Sequence, residues 1–146
     1  MELDLSLTPC SGRATGAVYQ FAEGRWPDTI VGGVVLREAA FDFIEPLVRK
    51  AWPEWNGLAM YGVTNISSLS CIALVEELRH VANGIIQTEK SPEWAGYSDR
   101  FTPDEVRRQF DKNPERLDEL ASFFRELANW LEGAMARGSS VSLLGI

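Results

Sequence analysis

The chain has 146 residues, of which 21 are Asp or Glu and 14 Lys or Arg, with one His, two Cys and a net charge of −7. A single domain of this size closes a core without disulfide or metal staples, and 45% apolar against 24% charged residues excludes a disordered chain. The acidic balance speaks against direct nucleic-acid binding, which needs clustered Lys and Arg, and the His and Cys counts exclude most all-protein zinc sites.

Leu3, Leu5 and Leu7 alternate with Asp4 and Ser6, the period-two pattern of a half-buried strand. Val18–Phe21 and Ile30–Leu36 are the next strand candidates, separated by Gly24 and by Trp26-Pro27-Asp28. Within the third, Gly32-Gly33 implies a bulge or a turn. From Arg37 the rhythm becomes helical, with Ala40/Phe41, Ile44, Leu47/Val48 and Ala51/Trp52 at three-to-four spacing. Pro46 either kinks this helix or sits in the first turn of a new one, and Pro53 stops it. Leu58–Val63 reads as a strand, with Asn65 as a turn residue and Ser67-Ser68 as N-cap candidates.

Residues 68–86 predict a helix whose stripe is Ile72, Val75, Leu78, Ala82 and Ile85, widened by Leu74, Val81 and Ile86. Residues 87–101 show no period and form the longest expected loop. Thr102-Pro103-Asp104-Glu105 is a capping box with Pro at the first helical position, opening a short helix that carries Val106 and Phe110. Asn113-Pro114-Glu115 starts another, with Leu117, Leu120, Phe124, Leu127, Leu131 and Met135 on one face and Gly138 as its cap. Val141, Leu143 and Ile146 suggest a closing strand. Strands first and helices late, without βαβ alternation, predict one α+β domain over residues 1–146: a mainly antiparallel sheet packed with three to four helices.

The N-terminus carries acid where a secretory signal carries bases, and no run approaches the ~20 apolar residues of a membrane span. Cys10 in a Pro/Gly/Ser loop and Cys71 on a buried helix face predict two free thiols in a reducing cytoplasm, where the sequon Asn65-Ile66-Ser67 has no role. Nucleophilic catalysis would have to use His80, which lies on the helix face opposite the apolar stripe, with Cys71 two and a half turns away. Glu76 and His80 stand at i and i+4, two metal-type ligands without a third; a solvated helix face is the plainer reading. No Gly-rich nucleotide cradle and no nucleophile elbow occurs, so no catalytic residue, metal or cofactor is expected.

What remains is aromatics beside acids in irregular segments. Trp52-Pro53-Glu54-Trp55 ends a helix, and Glu93-Trp94-Ala95-Gly96-Tyr97-Ser98-Asp99 occupies the long loop. Glu54, Trp55, Glu93, Trp94, Tyr97 and Asp99 are the candidate partner-binding residues, because Trp and Tyr are favoured binding anchors. The alternative is that Trp52 and Trp94 fold back over the core. The acid excess falls mainly in residues 1–57 and 89–119, and an acidic face steers a basic partner.

The string FDFIEPLVRKAWPEW, then YGVTNIS, and the ending LANWLEGAMARGSSVSLLGI resemble a family of small bacterial immunity proteins that accompany polymorphic or contact-dependent-inhibition toxins. The likeness spans about residues 37–86 and 117–146 and rests on Phe41, Glu45, Pro46, Gly62, Thr64, Ile66, Leu144, Gly145 and Ile146, all architectural rather than catalytic. Where that family has an aromatic at the start of the second helix, this chain has Leu69 and Cys71. The resemblance implies a non-enzymatic protein that neutralises a cognate toxin, for instance a basic nuclease, by stoichiometric binding. A small carboxylate-based hydrolase and an oligomeric adaptor are the alternatives; monomer and homodimer both stay open.

Overall fold

In the computed structural model, residues 4–12, 14, 18–25, 29–53, 63–93 and 102–145 are described. Among them the order is β1 (Thr8–Ser11), β2 (Val18–Arg25), β3 (Thr29–Arg37), α1 (Glu38–Ala51), β4 (Val63–Ile66), α2 (Ser68–Thr88), α3 (Pro103–Phe110), α4 (Pro114–Ala136) and β5 (Val141–Gly145). The strands form one sheet in the order β1-β3-β2-β5-β4, and every neighbouring pair is antiparallel. This is the α+β architecture anticipated from the alternation of patterns.

The sheet carries its large apolar side chains toward the helices. Phe21, Val34, Leu36, Ile66, Val141 and Leu143 join α1, α2, α3 and α4 in one core, and Tyr19 stacks on Phe41 of α1 with ring centroids 3.9 Å apart. The C-terminal strand β5 lies between β2 and β4 and is buried at all five positions, so Val141-Ser-Leu-Leu-Gly145 lacks the alternation of a one-sided strand. The opposite face holds a smaller cluster of Val18, Ala22 and Leu144, with two fully buried polar side chains, Gln20 and Ser142. The Gln20 carboxamide donates to the Gly12 carbonyl and accepts from the Ala14 N–H, both at 2.9 Å, so it fastens part of the β1–β2 connection. Ser142 donates to the Gly24 carbonyl at 2.8 Å, and its hydroxyl lies 2.7 Å from the Asn65 carboxamide oxygen.

Several local expectations change. Leu5 and Leu7 pack half-buried against the core but form no strand: the Asp4 carboxylate accepts from the Ser6 N–H (3.0 Å) and hydroxyl (2.6 Å), a side-chain turn that competes with a ladder. The first strand instead begins at Thr8. Opposite Glu23 and Gly24, β3 pairs through Gly32 and Ile30 with Val31 as the extra residue, so the expected bulge lies beside Gly32; Gly32 and Gly33 themselves make no turn. They lie inside β3 where neighbouring backbones come close: a Cβ at Gly33 would sit 2.0 Å from the Phe21 carbonyl oxygen, and one at Gly32 2.5 Å from that of Cys10. Asn65 pairs with Ser142 within β4 and makes no turn; residues 58–62 of the expected fourth strand lie outside the described residues.

Helix α1 runs unbroken through Pro46, so no new helix starts there. The ~3 kcal/mol penalty of an interior proline is outweighed by Phe43, Ile44, Leu47 and Val48, each buried and each contributing about 1.5–3 kcal/mol. Helix α2 starts at Ser67, whose hydroxyl accepts from the Ser70 N–H, and continues to Thr88, two residues beyond expectation. Its buried row is Cys71, Leu74, Val75, Leu78, Ala82 and Ile85, so Val75, Leu78, Ala82 and Ile85 of the expected stripe and Leu74 beside it are buried, while Ile72 and Ile86 are exposed. The Thr102–Glu105 capping box forms in full. Helix α4 buries Leu117, Leu120, Phe124, Leu127 and Leu131 as expected. It ends with Gly138 at φ +74°, the Gly138 N–H bonded to the Met135 carbonyl and the Ser139 N–H to that of Ala134, a Schellman closure.

Candidate functional site

Of the six residues singled out as binding candidates, Glu54, Trp55, Trp94, Tyr97 and Asp99 lie outside the described residues. Glu93 is described and exposed. It follows Ser91, whose N–H and hydroxyl both donate to the Asp111 carboxylate (2.8 and 2.9 Å), tying the start of the loop to the end of α3. Glu93 borders an open cavity of about 630 Å³ together with His80, Val81, Ile85, Thr88 and Lys90. Trp52, at the end of α1, packs half-buried against the core, which is the structural reading of that tryptophan.

His80 and Glu76 are exposed on the outer face of α2, while Glu77 turns toward Lys50, 3.1 Å away. Cys10 and Cys71 are both free, and burial pushes the Cys71 thiol up to about 11, which leaves it in its unreactive protonated form. Among the described residues no group of three or more His, Cys, Asp or Glu is placed to hold a metal ion. No described helix is long and apolar enough to cross a membrane.

Among the described residues, one strongly charged concavity brings together parts of the chain that are remote in sequence. An open groove of about 670 Å³ lies between the segment Asp4–Ser6 and the first half of α4, lined by Asp4, Glu115, Arg116, Asp118, Glu119 and Glu126, with Leu5 and Phe123 among its apolar lining. On α4 the acids recur at three-to-four spacing, opposite the Leu120–Leu127 stripe, so one face of the helix is presented as carboxylate. Asp4 joins them from the N-terminus. Hydrogen bonds from the Ser6 hydroxyl and then from its backbone N–H hold the Asp4 carboxyl below the usual range. Among the described residues lining the groove, five carboxylates thus accompany one guanidinium, that of Arg116, while Arg37 acts on Asp4 from outside the lining. Arg116 is paired with Glu119, lies over the Phe110 ring with 5.2 Å from guanidinium carbon to centroid, and keeps only 12% of its side chain accessible.

All five carboxylates are exposed. A general acid tuned by burial sits in a desolvated pocket; carboxylates lining an open, wet groove are placed instead to attract cationic groups. The groove was only half visible in the sequence. Glu115, Asp118 and Glu119 belong to the acid-rich stretch 89–119 and Asp4 to the other acid-rich stretch, but nothing local joins Asp4 to a helix 110 residues later. The available signal was the E-x-x-D-E-x-x-S-F-x-x-E pattern on the polar side of α4.

Of the residues on which the expected likeness rests, several of the described ones take up packing, pairing or sheet positions. Phe41 stacks on Tyr19, Glu45 pairs with Arg49 at 2.8 Å, Ile66 and Leu144 are buried, and Gly145 pairs with Tyr19 in the sheet. Thr64 lies in β4, and Gly62 and Ile146 fall outside the described residues. Compared with family models, curated proteins and solved structures, the chain matches none of them.

Proposed function

We propose that the chain is a non-enzymatic acidic binding protein that neutralises a cognate bacterial toxin by stoichiometric binding, with a basic surface of the toxin docked on the groove between Asp4–Ser6 and α4. The observation that carries this reading is the charge of that groove: among the described residues lining it, five exposed carboxylates stand against the guanidinium of Arg116, which is paired with Glu119. Leu5 and Phe123 add an apolar element beneath the carboxylate rim. A contact then combines long-range steering with a small desolvated centre, the division of labour between rim and core of protein interfaces. Glu93, exposed beside α2, is a further carboxylate open to a basic partner.

The test is titration of the purified chain with the catalytic domain of a toxin encoded beside it. The expected result is a 1:1 complex whose dissociation constant rises at least about tenfold between about 50 and 300 mM NaCl, since exposed ion pairs are screened over that range. Asp118→Lys combined with Glu126→Lys weakens it further, and cells expressing the wild-type chain survive the toxin. Absence of a complex at low salt, together with absence of protection, refutes the proposal.

A further inference from the structure

Where the end of α2 meets the start of α4, a second concavity of about 420 Å³ differs in its chemistry from the acidic groove. Part of its lining is aliphatic: Ile85, Ile86, Pro114 and Leu117. Ile85 and Leu117 are almost wholly buried, and Ile86 is 42% exposed, so the apolar lining continues from the core out to the surface. The volume lies within the ~300–1,000 Å³ range of small-molecule clefts.

Beside this apolar lining stand four charged side chains, two of each sign: Lys90 and Lys112, Glu89 and Asp118. All four are exposed, and none has an ion-pair partner among the described residues. Elsewhere in the chain Lys50, Arg79 and Arg137 each reach an acid on another element. Glu89 (φ 57°) and Lys112 (φ 63°) are also the non-glycine residues with left-handed backbone among those described, and both line this cavity. The fold, rather than local preference, therefore sets the direction in which these two side chains leave the backbone.

We infer that this cavity binds a small zwitterion with an aliphatic body, a short apolar peptide with free termini. Its carboxylate is held by Lys90 and Lys112, its ammonium by Glu89 and Asp118, and its side chains lie on Ile85, Ile86 and Leu117. The ligand class follows from charge balance. A simple anion is attracted by the lysines but repelled by Glu89 and Asp118, and a simple cation meets the reverse; a molecule with one charge of each sign engages both pairs. The aliphatic lining adds the removal of apolar side chains from water, which selects Leu-like over Gly-like peptides. The basic partner of the acidic groove has no use for two lysines. The inference therefore does not rest on the proposed function, although Asp118 lines both concavities.

The test is titration of the isotope-labelled chain with leucyl-leucine, followed by amide chemical shifts. Saturable shifts are expected at Ile85, Thr88 and Leu117, with a dissociation constant of about 1 mM or below. N-acetyl-leucyl-leucine and leucyl-leucine amide, each lacking one terminal charge, are expected to bind about fivefold more weakly, the effect of losing an exposed ion pair. Glycyl-glycine, which lacks the aliphatic body, is expected to give no saturable shift. Lys90→Gln combined with Lys112→Gln removes the preference for leucyl-leucine over its amide and keeps the preference over the acetylated form; Glu89→Gln narrows the latter. Shifts that do not saturate, or that fall along the Asp4–α4 groove instead, overturn the inference. So do blocked peptides that bind as tightly as the free one, or a double variant that still prefers the free carboxylate. The wild-type peptide series decides the matter even where a variant fails to fold.

Discussion

Gln20→Met is the most discriminating perturbation of the fold. Gln20 is fully buried on the sheet face away from the helices, and its carboxamide is the partner of two backbone groups, the Gly12 carbonyl and the Ala14 N–H. Methionine has nearly the same length and volume, so it leaves no large cavity, and the change removes hydrogen bonding alone. A buried peptide group deprived of its partner costs about 1–3 kcal/mol. Gly12 and Ala14 are only half-buried, so water recovers part of that, and the lower end applies. Two groups at about 1 kcal/mol each give a loss of about 2 kcal/mol, or about 4–8 °C in the thermal midpoint of a chain this size. Urea unfolding followed by circular dichroism measures the loss, and amide exchange at Ala14 localises it. A loss below about 0.5 kcal/mol, or unchanged exchange at Ala14, refutes the view that this side chain fastens the β1–β2 connection.

Gly33→Ala sets a methyl group 2.0 Å from the Phe21 carbonyl oxygen, with strands on both sides of β3; backbone has little room to yield, so the loss reaches about 3 kcal/mol or folding fails, as urea denaturation will show. Glu23 accepts from Arg137 and from the Ser139 hydroxyl, and the Arg137 hydrogen bond holds its carboxyl below the ordinary value of 4.5. A lowered carboxyl contributes stability that is fully present above 4.5 and is lost as pH falls through the folded value. The wild type therefore loses more stability than Glu23→Gln on acidification below that point, by under about 1 kcal/mol because Arg137 is half-exposed; parallel pH–stability curves for the two would refute this. Cys71, buried and pushed up to about 11, is expected to resist thiol reagents at pH ~8 until the chain unfolds, while half-buried Cys10 reacts first. Mass spectrometry of the partly modified native protein checks the order, and early modification at Cys71 would show that its helix opens.

How much of this was legible in the sequence depended on the range of the determining interaction. The capping box at Thr102–Glu105, the Asn113-Pro114 start and the Gly138 end of α4 are local signals, each decided within a few residues, and each is where the sequence puts it. The register of the strands is settled by partners far away. Leu5 and Leu7 have the alternation of a strand and the burial that goes with it, yet the Asp4 side chain captures the Ser6 N–H and ends that possibility. Asn65 looks like a turn residue until Ser142, 77 positions later, stands opposite it. Gly32-Gly33 carries a true signal of special backbone, and it marks two things that periodicity does not separate: a bulge beside Gly32 and the close approach of two neighbouring strands.

The same distinction of range governs the functional surfaces. Loop aromatics drew the sequence reading because Trp and Tyr are conspicuous one at a time, whereas the groove is built from ordinary acids that become unusual only together. Glu115, Asp118, Glu119 and Glu126 share a face because of the helical repeat, a fact available from sequence. Asp4 reaches that face only through the tertiary fold, which sets the segment Asp4–Ser6 beside the first half of α4. Net charge alone would predict uniform attraction for a basic partner. The carboxylates gathered on the first half of α4 and at Asp4 concentrate that field in one groove instead.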